Sequence, residues 1–202
     1  MTVDEFKGLL NEWTSHSWLN NQDFRCDDTI IEQSIIDFEP DYKRWYPNDF
    51  CISVCNFQKT PQLIAMLLYR ISRALYISDL ESGWGVKDAY SLLARHIGQI
   101  ELFYSADIGK GFKINHGVGT VIGARCKIGE NCMIHQNCTI GDRKGGRPTI
   151  GNNVIIYAGA MILGDISIGD NCIIGANSVV TKSCPPNSIL VGAPAKIVGI
   201  NE

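Results

Sequence analysis

The sequence has eight cysteines but no C-x-x-C pair, and the closest two, Cys51 and Cys55, stand four apart. That spacing excludes a finger-type zinc site, which wants two close pairs. No apolar run reaches the roughly 18–20 residues that a membrane span needs. Excess positive charge is missing too. The net charge of −3 gives no electrostatic footprint for nucleic acid. The opening "MTVDEFKGLLNEW" lacks the basic-then-apolar layout of a signal peptide. The expectation is a soluble cytoplasmic protein with reduced thiols. What is present is apolar: 45% hydrophobic against 19% charged residues, enough for a packed core.

Two grammars divide the chain. Residues 1–100 read as an α-helical domain. In "TPQLIAMLLYRISRALYISDL", Thr60 can cap, and Pro61 suits a first turn. Leu63, Ile64, Leu67, Leu68, Ile71 and Leu75 then make one apolar face. "ESGWG" interrupts, and 86–100 resumes helix. Stretches 5–13 and about 28–38 are expected to be helical as well, and "EPDYKRWYPNDF" (39–50), with two prolines, to be a loop.

From about residue 106 glycine recurs too often for long helices. An aliphatic residue now returns at a fixed interval: Ile108, Ile114, Ile122, Ile128, Ile134, Ile140, Ile150, Ile156, Ile162, Ile168, Ile174 and Val180. Nine of the eleven intervals are six residues, one is eight and one is ten. This is a hexapeptide repeat, the signature of a parallel β-helix solenoid. Four residues after these positions stand Cys126, Cys132, Cys138, Cys172 and Cys184, among other small or apolar residues. Cysteine serves there as a small inward hydrophobe. The solenoid is expected over 101–185, with a C-terminal segment over 186–202.

The frame and the segments "YSADIGKGFKINHGVGTVIG", "IIYAGAMILGDISIG" and "IGANSVVTKSCPPNSILVGAPAKIVG" resemble the hexapeptide-repeat acyltransferases, and within them the serine acetyltransferases. The likeness runs from about residue 67 to 199. It implies a left-handed parallel β-helix after a helical N-terminal region. It implies acetyl-CoA as co-substrate, no metal, and direct acetyl transfer to an alcohol. L-Serine on the way to cysteine is the leading acceptor. A saccharide hydroxyl of surface-polysaccharide synthesis is the alternative, and a non-catalytic β-helix scaffold a further one.

The two breaks of the frame are where chemistry is expected, because extra residues in a solenoid emerge as loops. One contains "NHGVG" (115–119), the other "GDRKGGRPT" (141–149). Three hexads make a turn, so the breaks fall about one coil apart and are expected to line one cleft. The resemblance implies His116 as the base that takes the alcohol proton, a task that suits a pKa near 7. It places Glu101 as the carboxylate that orients His116. Asn115 stands where the family has an Asp facing the serine ammonium, and an amide makes the weaker contact. Arg147 falls where the family has a His, and Arg143 is the other guanidinium suited to an anionic acceptor. Ala158 and Gly159 would meet the pantetheine arm through main-chain groups, with Ala176 one coil on and Lys196 suited to a phosphate.

Some hexapeptide proteins resemble carbonic anhydrases with three histidines on zinc. Of His16, His96, His116 and His135, only the last two lie in the repeats, too few for three ligands. His135 is expected to face outward. The resemblance also implies a homotrimer with sites between subunits, with a dimer of trimers as the alternative.

Overall fold

The structure, a computed structural model, describes residues 1–15, 19, 22–78 and 85–202. His16 and Gly83 lie outside the described residues. Among the described residues five helices come first: α1 (Val3–Ser15), α2 (Asp28–Lys43), α3 (Val54–Gln58), α4 (Pro61–Ser78) and α5 (Val86–Gly98). The apolar face of α4 is buried at Leu63, Ile64, Leu67, Leu68 and Ile71. Pro61 opens that helix as expected. Thr60 does not cap it with its side chain: the hydroxyl donates to Asn56 O (3.1 Å) and pairs with Tyr46 Oη (3.0 Å).

The expected loop at 39–50 begins late, because α2 continues through Pro40 to Lys43. Tertiary contact outweighs the proline here. Asp41 and Tyr42, in the last turn, are fully buried. Asp41 meets Arg70 of α4 at 3.0 Å and accepts from Phe112 N at 2.8 Å. Arg70 in turn donates to Gly109 O at 2.7 Å. A buried ion pair stays only where further hydrogen bonds satisfy both partners. This one ties two helices to the first coil of the solenoid.

The repeats build three parallel faces. Face A holds β1 (Glu101–Leu102), β4 (Val121–Ile122), β7 (Thr139–Gly141), β10 (Met161–Leu163) and β13 (Val179–Val180). Face B holds β2 (Asp107–Ile108), β5 (Lys127–Ile128), β8 (Thr149–Ile150) and β11 (Ser167–Ile168). Face C holds β3 (Lys113–Ile114), β6 (Met133–Ile134), β9 (Ile155–Ile156), β12 (Ile173–Ile174) and β14 (Ser188–Gly192). The last strand, β15 (Ala195–Ile200), turns back antiparallel on β14. Among the described residues no helix is long and apolar enough to cross a membrane.

All twelve aliphatic frame positions are buried. Each strand therefore points one residue inward, and each corner must turn sharply. Asn131, Asn137, Asn153, Asn171, Asn177 and Asn187 make those turns at φ between 56° and 61°, a left-handed conformation that asparagine tolerates. The cysteines take the small inward slot. Cys126, Cys132, Cys138 and Cys172 have no exposed surface. Their thiols donate to main-chain carbonyls of neighbouring coils, as Cys138 does to Tyr157 O at 3.2 Å. Burial pushes the Cys132 and Cys184 thiols up to about 11. Such thiols are packing elements, not nucleophiles.

Candidate active site

Each break sits at a corner. "NHGVG" connects β3 to β4, from face C to face A; "GDRKGGRPT" connects β7 to β8, from face A to face B. The expectation that both line one cleft is not met within a single chain. Four strands separate the breaks, and three make a turn, so they are offset by one face as well as one coil. They flank face A from opposite sides.

At the first break the interval is eight where six is the rule, so two residues are extra. Coil-to-coil bonds identify them. Asn115 N donates to Ile134 O (2.7 Å), and Asn137 N donates to Val118 O (2.9 Å). Both bonds are in regular register, which leaves His116 and Gly117 as the inserted pair. Two successive tight turns, Gly117 N to Asn115 O (2.8 Å) and Val118 N to His116 O (2.7 Å), lift them off the corner. His116 takes φ 64° and is exposed. Gly117, at φ 61°, could not carry a side chain, since a Cβ would stand 2.7 Å from Ile114 Cγ2. Gln62 of α4 braces the bulge by donating to His116 O at 2.9 Å. No sequence signal pointed to Gln62, because the contact spans 54 residues.

The same corner recurs on every coil below. His135 and Gln136 follow β6, Tyr157, Ala158 and Gly159 follow β9, and Gly175 and Ala176 follow β12. His135 N donates to Ile156 O (3.0 Å), Tyr157 N to Ile174 O (2.9 Å) and Gly175 N to Leu190 O (2.8 Å), which aligns the coils as one column. At its foot is the β14–β15 turn, whose second strand carries Lys196 paired with Val191. Thus His116, Ala158, Gly159, Ala176 and the turn next to Lys196 share one edge of the prism. Gly159 N and Ala158 O are already bonded, to Gln136 O (3.0 Å) and Asn177 N (2.9 Å). The Ala158 amide and Gly159 carbonyl make no such coil-to-coil bond among the described residues.

Glu101 opens β1 on the face A side of this corner, its N–H on Thr120 O at 2.9 Å. Its ion-pair partner among the described residues is Arg95 of α5, at 3.6 Å. The Asn115 amide donates to Met133 Sδ at 3.2 Å. His135 stacks on Tyr157 with ring centroids 5.1 Å apart. Burial, and then the nearby His116, hold its imidazole below the ordinary value of 6.5.

The arginines are elsewhere. At the second break, Arg143 and Gly146 close a two-residue hairpin (3.3 and 3.2 Å) over Lys144 (φ 57°) and Gly145 (φ 84°). Two positive φ values mark a type I′ turn. Arg147 is taken up by this loop: it donates to Ala124 O (3.0 Å) and Gly146 O (3.1 Å) and pairs with Asp142. Arg143 is exposed. Among the described residues no cluster of three or more His, Cys, Asp or Glu could hold a metal ion.

Comparison with known proteins bears on this edge. The family model "Bacterial transferase hexapeptide (six repeats)" matches residues 147–182. The serine acetyltransferase of Helicobacter pylori is 42% identical over 142 residues, which is 68% of this chain and 81% of that relative. The chain belongs to the serine acetyltransferase family. It is an acyltransferase of the hexapeptide-repeat class. Two solved members share its fold. One is serine acetyltransferase of Brucella abortus in complex with coenzyme A: TM-score 0.74, 28% identity, 87% of this chain and 72% of that one. The other is serine acetyltransferase of Neisseria gonorrhoeae in complex with serine: TM-score 0.71, 27% identity, 97% of this chain and 74% of that one.

Proposed function

We propose that the protein transfers the acetyl group of acetyl-CoA to the hydroxyl of L-serine, making O-acetylserine for cysteine synthesis in the cytoplasm. The observation that carries this reading is the shared edge. The inserted His116 and the coils with Ala158, Gly159 and Ala176 lie along one line. The Ala158 amide and Gly159 carbonyl suit the pantetheine amides, and Lys196 suits a phosphate at the foot. Acetyl-CoA supplies the activated acyl group; the relatives in complex with coenzyme A and with serine support both partners.

An alcohol is a poor nucleophile at neutral pH, so its proton must leave during attack. His116, on an exposed bulge, is the base. Glu101 orients it; its contact with Arg95 at 3.6 Å, between partly exposed groups, is weak enough to exchange. The hydroxyl attacks directly, and no covalent enzyme intermediate is required. Arg143 stands one face away from His116 in the same chain. A neighbouring copy in a homotrimer, alone or as half of a dimer of trimers, brings its loop with Arg143 and Arg147 to this edge.

A second reading rests on Asn115. An amide there, already donating to Met133, weakens the grip on an ammonium, and it suits a saccharide hydroxyl. Incubation with acetyl-CoA and a panel of acceptors, with thiol release followed, separates the two. Release with L-serine is the expected result. Release with a sugar and none with serine overturns the first reading.

A further inference from the structure

The coil between the base and the arm-binding coil carries two polar atoms that no described residue satisfies. His135 Nε2 and Gln136 Oε1 are shielded from water and, among the described residues, have no hydrogen-bond partner. In folded proteins about nine in ten buried polar groups are paired. Two exceptions on successive residues mark a place where something else supplies the partner.

Their position says what. Along the shared edge the order of coils is His116, then His135 and Gln136, then Ala158 and Gly159. Adjacent coils are about 4.8 Å apart, so the base and the arm-binding coil are separated by roughly 10 Å. A pantetheine arm held at Ala158 and Gly159 ends in its thioester before it reaches His116. The acetyl carbonyl therefore lies over the coil of His135. The main chain of His135 is held by Thr120 Oγ1, which donates to His135 O at 2.7 Å, and its ring stacks on Tyr157. A turn about its Cβ–Cγ bond, where the energy well is broad, carries Nε2 to the open side.

We propose that His135 is a further catalytic residue, donating from Nε2–H to the oxyanion that forms on the acetyl carbonyl. The proposal rests on the reading of His116 as base and of the Ala158–Gly159 coil as the arm site. The hydroxyl oxygen bonds to the thioester carbon as His116 takes its proton. The carbonyl π pair moves to oxygen, and His135 holds the resulting charge. On collapse the C=O bond re-forms, the C–S bond breaks, and the thiolate takes the proton back from His116. A neutral imidazole can play this electrophilic part when its surroundings keep it unprotonated, and burial with a neighbouring His116 does so here. A donor in a water-excluded site is worth far more to a developing charge than the same donor in water.

The variants are His135→Phe, which keeps a ring on Tyr157 but has no donor, and His135→Asn, which restores an N–H. Loss of one such donor lowers kcat about 100-fold or more. His135→Phe is expected to do so with both KM values within about twofold, and His135→Asn to recover part of the loss. A second readout needs no turnover. A non-cleavable ketone analogue of acetyl-CoA should lose about three- to tenfold in affinity in His135→Phe, as for one neutral hydrogen bond. Coenzyme A, which has no acetyl carbonyl, should bind both proteins equally. Wild-type kcat in His135→Phe, a raised acceptor KM with kcat unchanged, or equal loss of both ligands overturns the proposal. Should His135→Phe fail to fold, His135→Asn with unchanged kcat and unchanged ketone affinity overturns it as well. Failure of wild-type protein to bind coenzyme A at all counts instead against the reading of the site on which the proposal rests.

Discussion

The two breaks in the hexad frame are alike in sequence and unlike in structure. Each adds a few residues between two strands of one prism. The ten-residue interval spends its extra residues on a closed hairpin, Arg143 to Gly146, and Arg147 then locks that hairpin to Ala124 and Asp142. The eight-residue interval makes only tight turns, lifts His116 outward, and sits above two polar atoms without partners among the described residues. A loop that satisfies itself is a finished surface. A bulge above unmet hydrogen-bonding groups is an unfinished one.

Three experiments test that contrast. The largest effect is expected at the bulge. His116→Ala should lower kcat/KM about 10²- to 10⁴-fold, the usual worth of a general base, while its melting temperature stays within about 2 °C, because an exposed side chain is lost. Steady-state thiol release and calorimetry check this; near-normal turnover removes His116 from the chemistry. The second loop should behave differently. Deleting Arg143–Gly146 returns the interval from ten residues to six, so the solenoid should still fold. Acceptor KM should rise about tenfold, the scale of one lost charge-assisted contact, with acetyl-CoA KM unchanged. A collapse of folding in circular dichroism would mean that the hairpin is structural. The smallest effect concerns pH. Because His135 is held below 6.5 in the folded protein, the unfolded chain binds that proton more readily. Stability is then full above 6.5 and declines as the pH falls below it. Urea midpoints from pH 7.5 to 5 should show this slope, and His135→Phe should flatten it.

The sequence is most legible where the physics is local and repeated. A narrow prism admits one aliphatic and one small residue per hexad, so Ile122 through Val180 and the cysteines announced their inward positions by spacing alone. The fate of Glu39–Lys43 was not legible in the same way. Pro40 argued for a loop, and only the burial of Asp41 against Arg70, 29 residues away, extends the helix through it. The candidate site was half legible. His116 and the Ala158–Gly159 coil were marked by a break and by resemblance. The relation of the two breaks was not, because a count of coils does not say which face a loop leaves. Gln62 left no trace in the sequence, and His135 showed only as an outward histidine.

The sequence by itself determined the architecture and the place of the bulge that carries His116. Period six fixes which residues face inward, and an excess of two must bulge at a corner. Only the tertiary structure decided which side chains meet there. Alignment of corners over several coils puts His116, His135 and Gly159 on one edge, although 43 residues separate the first from the last. It also puts Arg143 on another edge, because four strands are not a whole number of turns.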